Sequence, residues 1–285
     1  MDRSNPPALR LAETLEIDAY APAQIAERVE RAGVAKARLP FLQTFTLGVL
    51  AGAFIALGAM LFTVVSTDPG TGFGPARFLG GIAFSLGLVM VAIAGAELFT
   101  GNNLLVMAWV DGRIRLAELA RNWAIVYLAN LVGAVGMALL VWLADGLALG
   151  QGRVLETAAA IARAKVELGP AEAFFRGVLC NVLVCMAVWL SFAAREVAGK
   201  ILAIVFPISA FVALGFEHSI ANMYLIPVAI LHGVPGVGLV GFLANLVPVT
   251  AGNVVGGGGL VALAYWLCYR QQPPAAAGRS GWPAP

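Results

Sequence analysis

The stretch GFEHSIANM, residues 215–223, places a glutamate next to a histidine in the middle of apolar sequence. An earlier stretch, GAELFTGNN at 95–103, aligns with it without a gap and shares a glycine, a glutamate and an asparagine at the same positions. A second echo, LANLV, occurs at 128–132 and again at 243–247. The two echoes predict that the chain consists of two related halves.

The composition indicates a membrane protein. Hydrophobic residues make up 60% of the chain, charged residues 12%, and the mean hydropathy is +0.86. A soluble domain carries about twice that share of charge. A helix needs about 20 apolar residues to cross a bilayer core of ~30 Å. Six apolar runs are predicted as membrane helices: 41–66, 78–110, 117–144, 172–194, 201–231 and 237–269.

Three of these six runs are irregular. The second is interrupted at 95–103 and the fifth at 215–222, whereas LVPVTAGN is expected to bend the sixth at 246–253. Three helices followed by three related helices form an inverted repeat, with halves at about 41–144 and 172–269. Matching interruptions in such repeats indicate a transport site near the bilayer midplane. Because half-helix amino termini carry partial positive charge, the site is expected to take a small anion.

The basic residues predict the orientation. Most of the 18 Lys and Arg lie in the two terminal tails and in the connections at 111–121 and 195–200. Because cytoplasmic loops are enriched in Lys and Arg, both termini are predicted to be cytoplasmic.

We expect three regions along the chain. Residues 1–40 form a cytoplasmic tail, in which 18–38 fold as an amphipathic helix lying on the cytoplasmic leaflet. Residues 41–270 form the transmembrane channel or transporter domain. Residues 271–285 form a cytoplasmic tail that is expected to be disordered.

His218 is the strongest candidate for function, because ionisable residues inside membranes usually mark ion or proton pathways. Its alternative role is that of a neutral side chain joining two helices by a hydrogen bond. Glu97 and Glu217 occupy equivalent positions, which favours a scaffold role in which they accept backbone N–H groups at each interruption. The hydroxyl of Thr100 could donate either to an anion or to its own helix.

The sequence predicts no metal and no cofactor. The three cysteines lack the spacing of metal ligands, so they are interpreted as packing residues. The run GNVVGGGG at 252–259 follows no strand and precedes no GK[ST], so it is interpreted as close helix packing. Gly48 and Gly52 are predicted to have the same role.

Four segments carry a family resemblance: GGIAFSLGLVMVAIAGAELFTGNN (80–103), NWAIVYLANLVGA (122–134), GFEHSIANMYLIP (215–227) and LVPVTAGNVVGGG (246–258). In order and spacing, the chain resembles the formate/nitrite transporter family over about residues 18–270. The resemblance implies an all-α, aquaporin-like bundle of six helices and a homopentamer in the bacterial cytoplasmic membrane, with one pore per protomer. It also implies passage of small monovalent anions: formate as the first choice, or nitrite, hydrosulfide, acetate or lactate.

The resemblance also implies roles for individual residues. The matching central pore positions are His218, Thr100, Asn222, Glu217 and Asn181. The matching positions of the apolar constrictions are Phe84, Leu88, Leu98, Phe99 and Phe211. Lys165, in the loop before the fourth span, matches a lysine that attracts anions.

An anion that crosses an apolar constriction pays a large desolvation cost, whereas its neutral acid pays far less. His218 is therefore expected either to supply or relay a proton to the anion, or only to polarise the site. The first role fits a proton-coupled symporter and the second a channel. Two other classes stay open: a neutral-solute channel, against which the lack of paired NPA motifs argues, and a membrane enzyme or metal-site subunit using Glu217 and His218.

Overall fold

The computed structural model describes residues 18–68 and 70–270, and every regular element in these ranges is a helix. The tail expected at 271–285 lies outside the described residues. The α-helices are α1 (Pro22–Ala37), α2 (Phe41–Val65), α3 (Phe73–Ala94), α4 (Val106–Val110), α5 (Leu116–Leu143), α6 (Arg153–Val166), α7 (Pro170–Ala193), α8 (Val197–Ala213), α9 (Ser219–Leu231), α10 (Leu239–Val254) and α11 (Ala264–Tyr269). A 3₁₀ turn at Gly101–Leu105 precedes α4, and a π-helical stretch at Val255–Leu263 joins α10 to α11.

Among the described residues, five helices are long and apolar enough to cross a membrane. They are α2, α3, α5, α7 and the continuous helix Leu239–Tyr269. The fifth predicted span corresponds to two shorter apolar helices, α8 and α9, which have 17 and 13 residues. Helices suit these segments because the backbone satisfies its own hydrogen bonds in lipid.

Helices α3 and α8 end in the same way. Gly95 and Gly215 adopt positive φ angles of 84° and 74°, a conformation that glycine reaches without steric cost. The next backbone N–H in each case turns back to a carbonyl of the last turn, at 2.9 Å after α3 and 3.0 Å after α8. Each helix therefore ends at a glycine before the chain runs through the stretch that carries the glutamate.

The bend predicted at 246–253 does not interrupt α10. Helix α10 continues through Pro248 to Val254, and the irregular winding lies downstream, in the π-helical stretch. Close packing accompanies this winding: a Cβ added to Gly256 would lie 2.2 Å from the carbonyl oxygen of Val178. The glycines let the helix approach α7 closely, as the interpretation of the glycine run expected.

Glycines also bring α2 and α5 together. A Cβ on Gly52 would lie 2.1 Å from the Asn130 carbonyl oxygen, and a Cβ on Gly133 would lie 2.0 Å from the Val49 carbonyl oxygen. These distances are far below van der Waals contact. The predicted packing role of Gly52 is confirmed.

The amphipathic helix expected at 18–38 is α1, but its apolar face is not left to lipid. Ile25 and Val29 are buried in one cluster with Leu105 and Met107. A Cβ on Gly33 would lie 3.4 Å from the Cβ of Ala108. Helix α1 therefore packs on the segment that follows the first interruption.

The long connection before α7 also contains a helix, α6. Lys165 lies in its last turn rather than in a loop. The expectation of a loop lysine was wrong because this connection has its own amphipathic pattern, which buries Val154, Ala158 and Ala162.

Candidate functional site

Two cavities enter the helix bundle. The α1 cavity, of about 260 Å³, is lined by α1 and by the first interruption, and includes Lys36, Glu97 and Lys200. The α6 cavity, of about 300 Å³, is lined by α6 and by the second interruption, and includes Lys165 and Glu217. Each cavity therefore holds a glutamate and at least one lysine.

Helices α3 and α8 connect the two cavities in opposite directions. Along α3, Phe84 lines the α6 cavity and Leu88, one turn later, lines the α1 cavity. Along α8, Ile204 lines the α1 cavity and Phe211 lines the α6 cavity. Helices α3 and α8 therefore each contribute side chains to both cavities.

The two glutamates form matching ion pairs. Lys36 Nζ lies 2.8 Å from Glu97 Oε1, and Lys165 Nζ lies 2.8 Å from Glu217 Oε1. The Glu97 and Glu217 side chains are only 6% and 5% exposed. Charges this deeply buried persist because each has a partner of opposite sign.

Each glutamate also accepts a hydrogen bond from an asparagine amide five residues later. Asn102 Nδ2 donates to Glu97 at 2.7 Å, and Asn222 Nδ2 donates to Glu217 at 2.7 Å. The glutamates thus accept from side chains, and the expectation that they accept backbone N–H groups was wrong. In Asn222 and Glu217, the structure brings together two of the predicted polar residues.

Asparagines on α5 and α10 satisfy backbone groups at the interruptions instead. The Asn130 Oδ1 accepts the Phe99 N–H at 2.9 Å, and Asn253 Oδ1 accepts the Ser219 N–H at 2.9 Å. Their amides donate to the carbonyls of Glu97 and Glu217, at 2.9 and 3.0 Å. Such bonds remove the cost of burying unpaired backbone polar groups.

These contacts correct the register inferred from the LANLV echo. That echo aligned Asn130 with Asn245, whereas the structure gives Asn130 and Asn253 the same role. Asn122 and Asn245 form the second matched pair, since each accepts from the asparagine that follows the glutamate, at 3.0 and 2.7 Å. The two segments 122–130 and 245–253 share the spacing of two asparagines eight residues apart, a signal that could have identified the pairs.

Lys36, like Asn122 and Asn245, was missed by reasoning from sequence. It lies in α1, outside the apolar runs, and nothing in its local sequence distinguishes it from the other basic residues of the tail. Its position relative to Glu97 matches that of Lys165 relative to Glu217 only in three dimensions.

His218 and Thr100 are in contact. The Nε2 of His218 lies 3.0 Å from Thr100 Oγ1, and both residues are buried. His218 is also the amino-terminal cap of α9, because its Nδ1 accepts the Ala221 backbone N–H at 3.0 Å. An Nδ1 that accepts a hydrogen bond carries no proton, so the neutral ring has its proton on Nε2 and donates it to Thr100.

Two phenylalanines cover the histidine on the side of the α6 cavity. The Phe211 ring stacks on the imidazole with centroids 5.8 Å apart, and Phe84 meets Phe211 edge to face at 5.5 Å. Leu88 and Leu98 lie on the other side and line the α1 cavity. Four of the five predicted constriction residues therefore line one of the two cavities, and their role as a constriction stays a prediction.

Phe99 is not brought together with the other four. Its ring packs against Tyr127, with centroids 4.9 Å apart, and against Trp123, at 6.0 Å. It lines neither the α1 cavity nor the α6 cavity. Leu98, the preceding residue, does line the α1 cavity.

Asn181 lies behind the site rather than in it. Its amide donates to the carbonyl oxygens of Thr100 and Asn253, at 3.3 and 2.7 Å. These bonds connect the first interruption to α10 and hold the Thr100 backbone. Within the described part of the chain, Asn181 and Asn222 line neither cavity.

Comparison with known proteins gives a consistent result. The model of the formate/nitrite transporter family matches residues 23–267. The formate channel FocA of Escherichia coli (strain K12) is 40% identical over 278 residues, which cover 90% of this chain and 96% of FocA. A probable formate transporter of Methanothermobacter thermautotrophicus is 41% identical over 269 residues, covering 88% of this chain and 97% of that protein.

Solved structures agree in fold. A pentameric formate channel with formate bound matches with a TM-score of 0.76 and 37% identity, covering 81% of this chain and 98% of that channel. An FNT family ion channel matches with a TM-score of 0.79 and 31% identity, covering 86% of this chain and 98% of that chain. These relatives are channels and transporters, not enzymes, and the chain is a membrane protein. It belongs to the formate/nitrite transporter family.

Proposed function

We propose that this protein conducts small monovalent anions of weak acids, formate first among them, across the bacterial cytoplasmic membrane. The anion passes between the α1 cavity and the α6 cavity. The observation that carries this proposal is the buried hydrogen-bonded pair of His218 and Thr100, set between two cavities that each contain a lysine.

The cavities and the constrictions have different tasks. Cationic side chains in the cavities concentrate the anion, while Phe84, Phe211, Leu88 and Leu98 exclude water from the passage between them. An ion that enters this apolar passage loses its hydration, and the loss favours its protonated, neutral form. The species that crosses is therefore the neutral acid, and a proton accompanies the anion.

His218 acts through Thr100: its Nε2–H donates to Thr100 Oγ1, which leaves the Thr100 hydroxyl proton to donate to the acid and orient it. To become an imidazolium it would need a second proton on Nδ1, where the Ala221 N–H already donates. Protonating the ring would therefore disrupt the start of α9. The proton that joins the anion comes from the water of the cavity, and the histidine returns to its starting state without transferring one.

The wider arrangement follows the matched contacts of the two interruptions. We infer an aquaporin-like bundle of six membrane helices, built as an inverted repeat with broken second and fifth helices. Homopentameric assembly is supported by the pentameric formate channel, which is similar over most of this chain. The transmembrane domain spans about 41–270, with both termini in the cytoplasm.

The test is flux into proteoliposomes that contain purified protein. Formate, nitrite, hydrosulfide, acetate and lactate are each tried from about pH 5 to about pH 8. Formate is expected to give the highest rate, and the rate is expected to rise as the pH falls. His218→Phe should reduce the flux to near the protein-free background.

The chain supplies a matched control in its second histidine. His232 lies outside both cavities and contacts the Val228 carbonyl, so His232→Phe should transport at the wild-type rate. The proposal fails if no anion is transported, or if His218→Phe leaves the rates unchanged. Rapid water or glycerol flux without anion flux would instead support a neutral-solute channel.

A further inference from the structure

The α6 cavity holds more positive charge than its lysine supplies. The ion pair of Lys165 with Glu217 is nearly buried, with the two side chains 13% and 5% exposed, so it adds no net charge to the cavity. Arg77 and Arg176 line the same cavity. Arg176 is itself paired with Glu172 at 2.5 Å, so the surplus positive charge is that of Arg77.

The two guanidinium groups meet at the carboxyl-terminal end of α8, although they come from α3 and α7. Arg77 donates to the carbonyl oxygens of Val212 and Ala213, at 2.6 and 3.3 Å, and Arg176 donates to that of Gly215 at 3.1 Å. A Cβ added to Gly215 would lie 3.3 Å from Arg77 Nη2 and 3.8 Å from Arg176 Nη1.

Capping of α8 is the simplest role for these arginines, but it does not account for both. The end of α3 at Gly95 has the same geometry, and nothing lies within 4 Å of a Cβ added there. No side chain approaches Gly95 as Arg77 approaches Gly215, so a glycine helix end of this kind does not need a guanidinium against it. A helix carboxyl terminus also carries only about half a negative charge, which is less than two guanidinium groups.

Both side chains retain donors for a ligand. Each guanidinium has five N–H groups, and two of those on Arg77 bond to carbonyls. Arg176 uses one nitrogen for Gly215 and a second for Glu172, at 2.5 Å, and its side chain is 41% exposed. Both arginines line the α6 cavity, and His218 lines the same cavity.

We propose that Arg77 and Arg176 form an anion subsite in the α6 cavity that selects planar anions with two oxygens. Formate, acetate and nitrite belong to this class, because a guanidinium binds such a pair of oxygens through two parallel N–H bonds. Hydrosulfide has a single acceptor atom and gains nothing from this geometry. The inference rests on the proposed transport function. The subsite would bind the anion before it reaches the Thr100–His218 pair.

The first experiment measures binding without transport. Purified wild-type protein is treated with phenylglyoxal, and arginine modification is read by mass spectrometry with and without formate. Formate should protect Arg77 and Arg176, whereas equal concentrations of chloride should not. Arg163 is the internal control, because it also donates to a carbonyl, that of Pro235, but lines neither cavity. Its modification should not depend on formate.

The second experiment measures kinetics in proteoliposomes with the anion added on the α6 side. Arg77→Gln and Arg176→Gln should each raise the KM for formate by on the order of tenfold with Vmax little changed. Arg77→Lys and Arg176→Lys should raise the KM almost as much, since lysine keeps the charge but lacks the paired donors. The two lysine variants keep the charge and should affect hydrosulfide far less than formate, whereas the glutamine variants should weaken both anions, formate more than hydrosulfide. Arg163→Gln should behave as wild type with every anion.

The outcomes separate the subsite from the proposed function. The selection of two-oxygen anions would be overturned if the lysine variants transported formate like wild type. It would also be overturned if a variant lost formate and hydrosulfide transport equally. Wild-type protein without any flux would refute the transport function, while protection of the arginines by formate would still support the subsite. If the glutamine variants do not fold, the subsite is tested by the lysine variants and by the protection of wild-type Arg77 and Arg176 against phenylglyoxal. If formate does not protect these arginines, the subsite is refuted.

Discussion

His218 has its orientation set by two hydrogen bonds of opposite sense. The ring accepts at Nδ1 from the first turn of α9 and donates at Nε2 to Thr100. One side chain therefore starts a helix and presents a buried N–H between the two cavities. A histidine chosen only for packing would not need both nitrogens to be occupied.

We predict that the imidazole of His218 carries its proton on Nε2 at neutral pH. Solid-state ¹⁵N NMR of protein labelled at histidine distinguishes protonated from unprotonated ring nitrogens. The sequence contains 2 histidines, so His232→Asn leaves the His218 signals alone. A spectrum with the proton on Nδ1 would contradict the hydrogen bond from Ala221.

The two buried ion pairs are alike in distance but differ in environment. Lys36 keeps a second bond, to Asn102 Oδ1 at 3.0 Å, and its side chain is 31% exposed. Lys165 is only 13% exposed and depends on Glu217. Loss of the carboxylate should therefore have a larger effect in the α6 cavity.

We expect Glu217→Gln to destabilise the protein by about 3 kcal/mol or more, the cost of leaving a buried charge without a partner. Glu97→Gln should cost clearly less, because water and Asn102 still reach Lys36. Thermal unfolding of the two variants in detergent shows which of them is destabilised more. Glu156→Gln on the exposed face of α6 is the control, with an effect within about 0.5 kcal/mol. If Glu97→Gln and Glu217→Gln lowered the stability equally, the burial of the lysine partner would not determine the cost of losing the carboxylate.

Helix α5 shows how glycines set the distance between helices. Gly133 faces α2 so closely that a Cβ would lie 2.0 Å from the Val49 carbonyl oxygen, whereas a Cβ on Gly136 would meet nothing within 4 Å. The same residue type, three positions apart on one helix, thus serves packing in one case only.

Gly133→Ala is predicted to destabilise the protein by about 1–3 kcal/mol through overpacking. Gly136→Ala should be neutral or slightly stabilising, since alanine is the better helix former. Melting temperatures of the two purified variants test the difference directly. If both variants melted like wild type, α2 and α5 could not be packed at the distance described.

Helix α1 is fastened to the bundle by a buried carboxylate. Glu30 is 1% exposed and forms ion pairs with Arg113 and Arg270. Burial, with a hydrogen bond to Asp111, raises the pKa of Glu30 above 4.5, although Arg270 and Arg113 oppose the shift. Burial would also raise the pKa of Asp111, but hydrogen bonds from Trp266 and Arg113 outweigh it and lower that pKa below 3.8.

These pKa shifts predict how the docking of α1 depends on pH. Because the pKa of Glu30 is higher when α1 is docked than when it is free, docking binds a proton. Docking should therefore strengthen as the pH falls through the raised pKa towards 4.5. Asp111 stays ionised between the raised pKa of Glu30 and pH 4.5, so it adds nothing to the pH dependence of docking. Hydrogen–deuterium exchange of residues 22–37, corrected for intrinsic rates, should slow on acidification.

Glu30→Gln is the control for this dependence. The variant has no ionisable group at this position, so its corrected exchange in α1 should be independent of pH above about pH 5. Faster exchange in the wild type at lower pH would show that the ion pairs with Arg113 and Arg270 dominate over burial.

Much of the architecture can be predicted from the sequence, because polar residues inside apolar runs are rare and conspicuous. The ends of α3 and α8 could be anticipated from GAELFTGNN and GFEHSIANM, since glutamate and asparagine recur there at one spacing. The position of the π-helical stretch at Val255–Leu263 could not be anticipated in this way. LVPVTAGN was expected to bend the last helix at 246–253, whereas the irregular winding lies further along, where glycines contact α7 closely.

The candidate site was only partly predictable for a different reason. His218, Thr100, Phe84 and Phe211 belong to motifs that can be recognised locally. The partner of Glu97, Lys36, lies 61 positions earlier in a polar helix, and only the docking of α1 brings it into the site. The role of Phe99 was misjudged because neighbouring residues in a non-helical stretch face different ways.

The orientation of the protein decides which cavity faces the environment. Most basic residues lie in the tails and in the connections at 111–121 and 195–200, which predicts that these segments are cytoplasmic. The α6 cavity, with Arg77 and Arg176, then opens to the outside and meets external anions first.

Labelling of single cysteines tests this topology. In a Cys268→Ser background, which removes the exposed native cysteine, Gln151→Cys should react with a membrane-impermeant maleimide in intact spheroplasts. Ala117→Cys, equally exposed but at the start of α5, should react only after the membrane is opened. The reverse pattern would place the α1 cavity outside. The arginine subsite would then receive anions leaving the cell, so the same labelling also fixes the direction in which its selectivity acts.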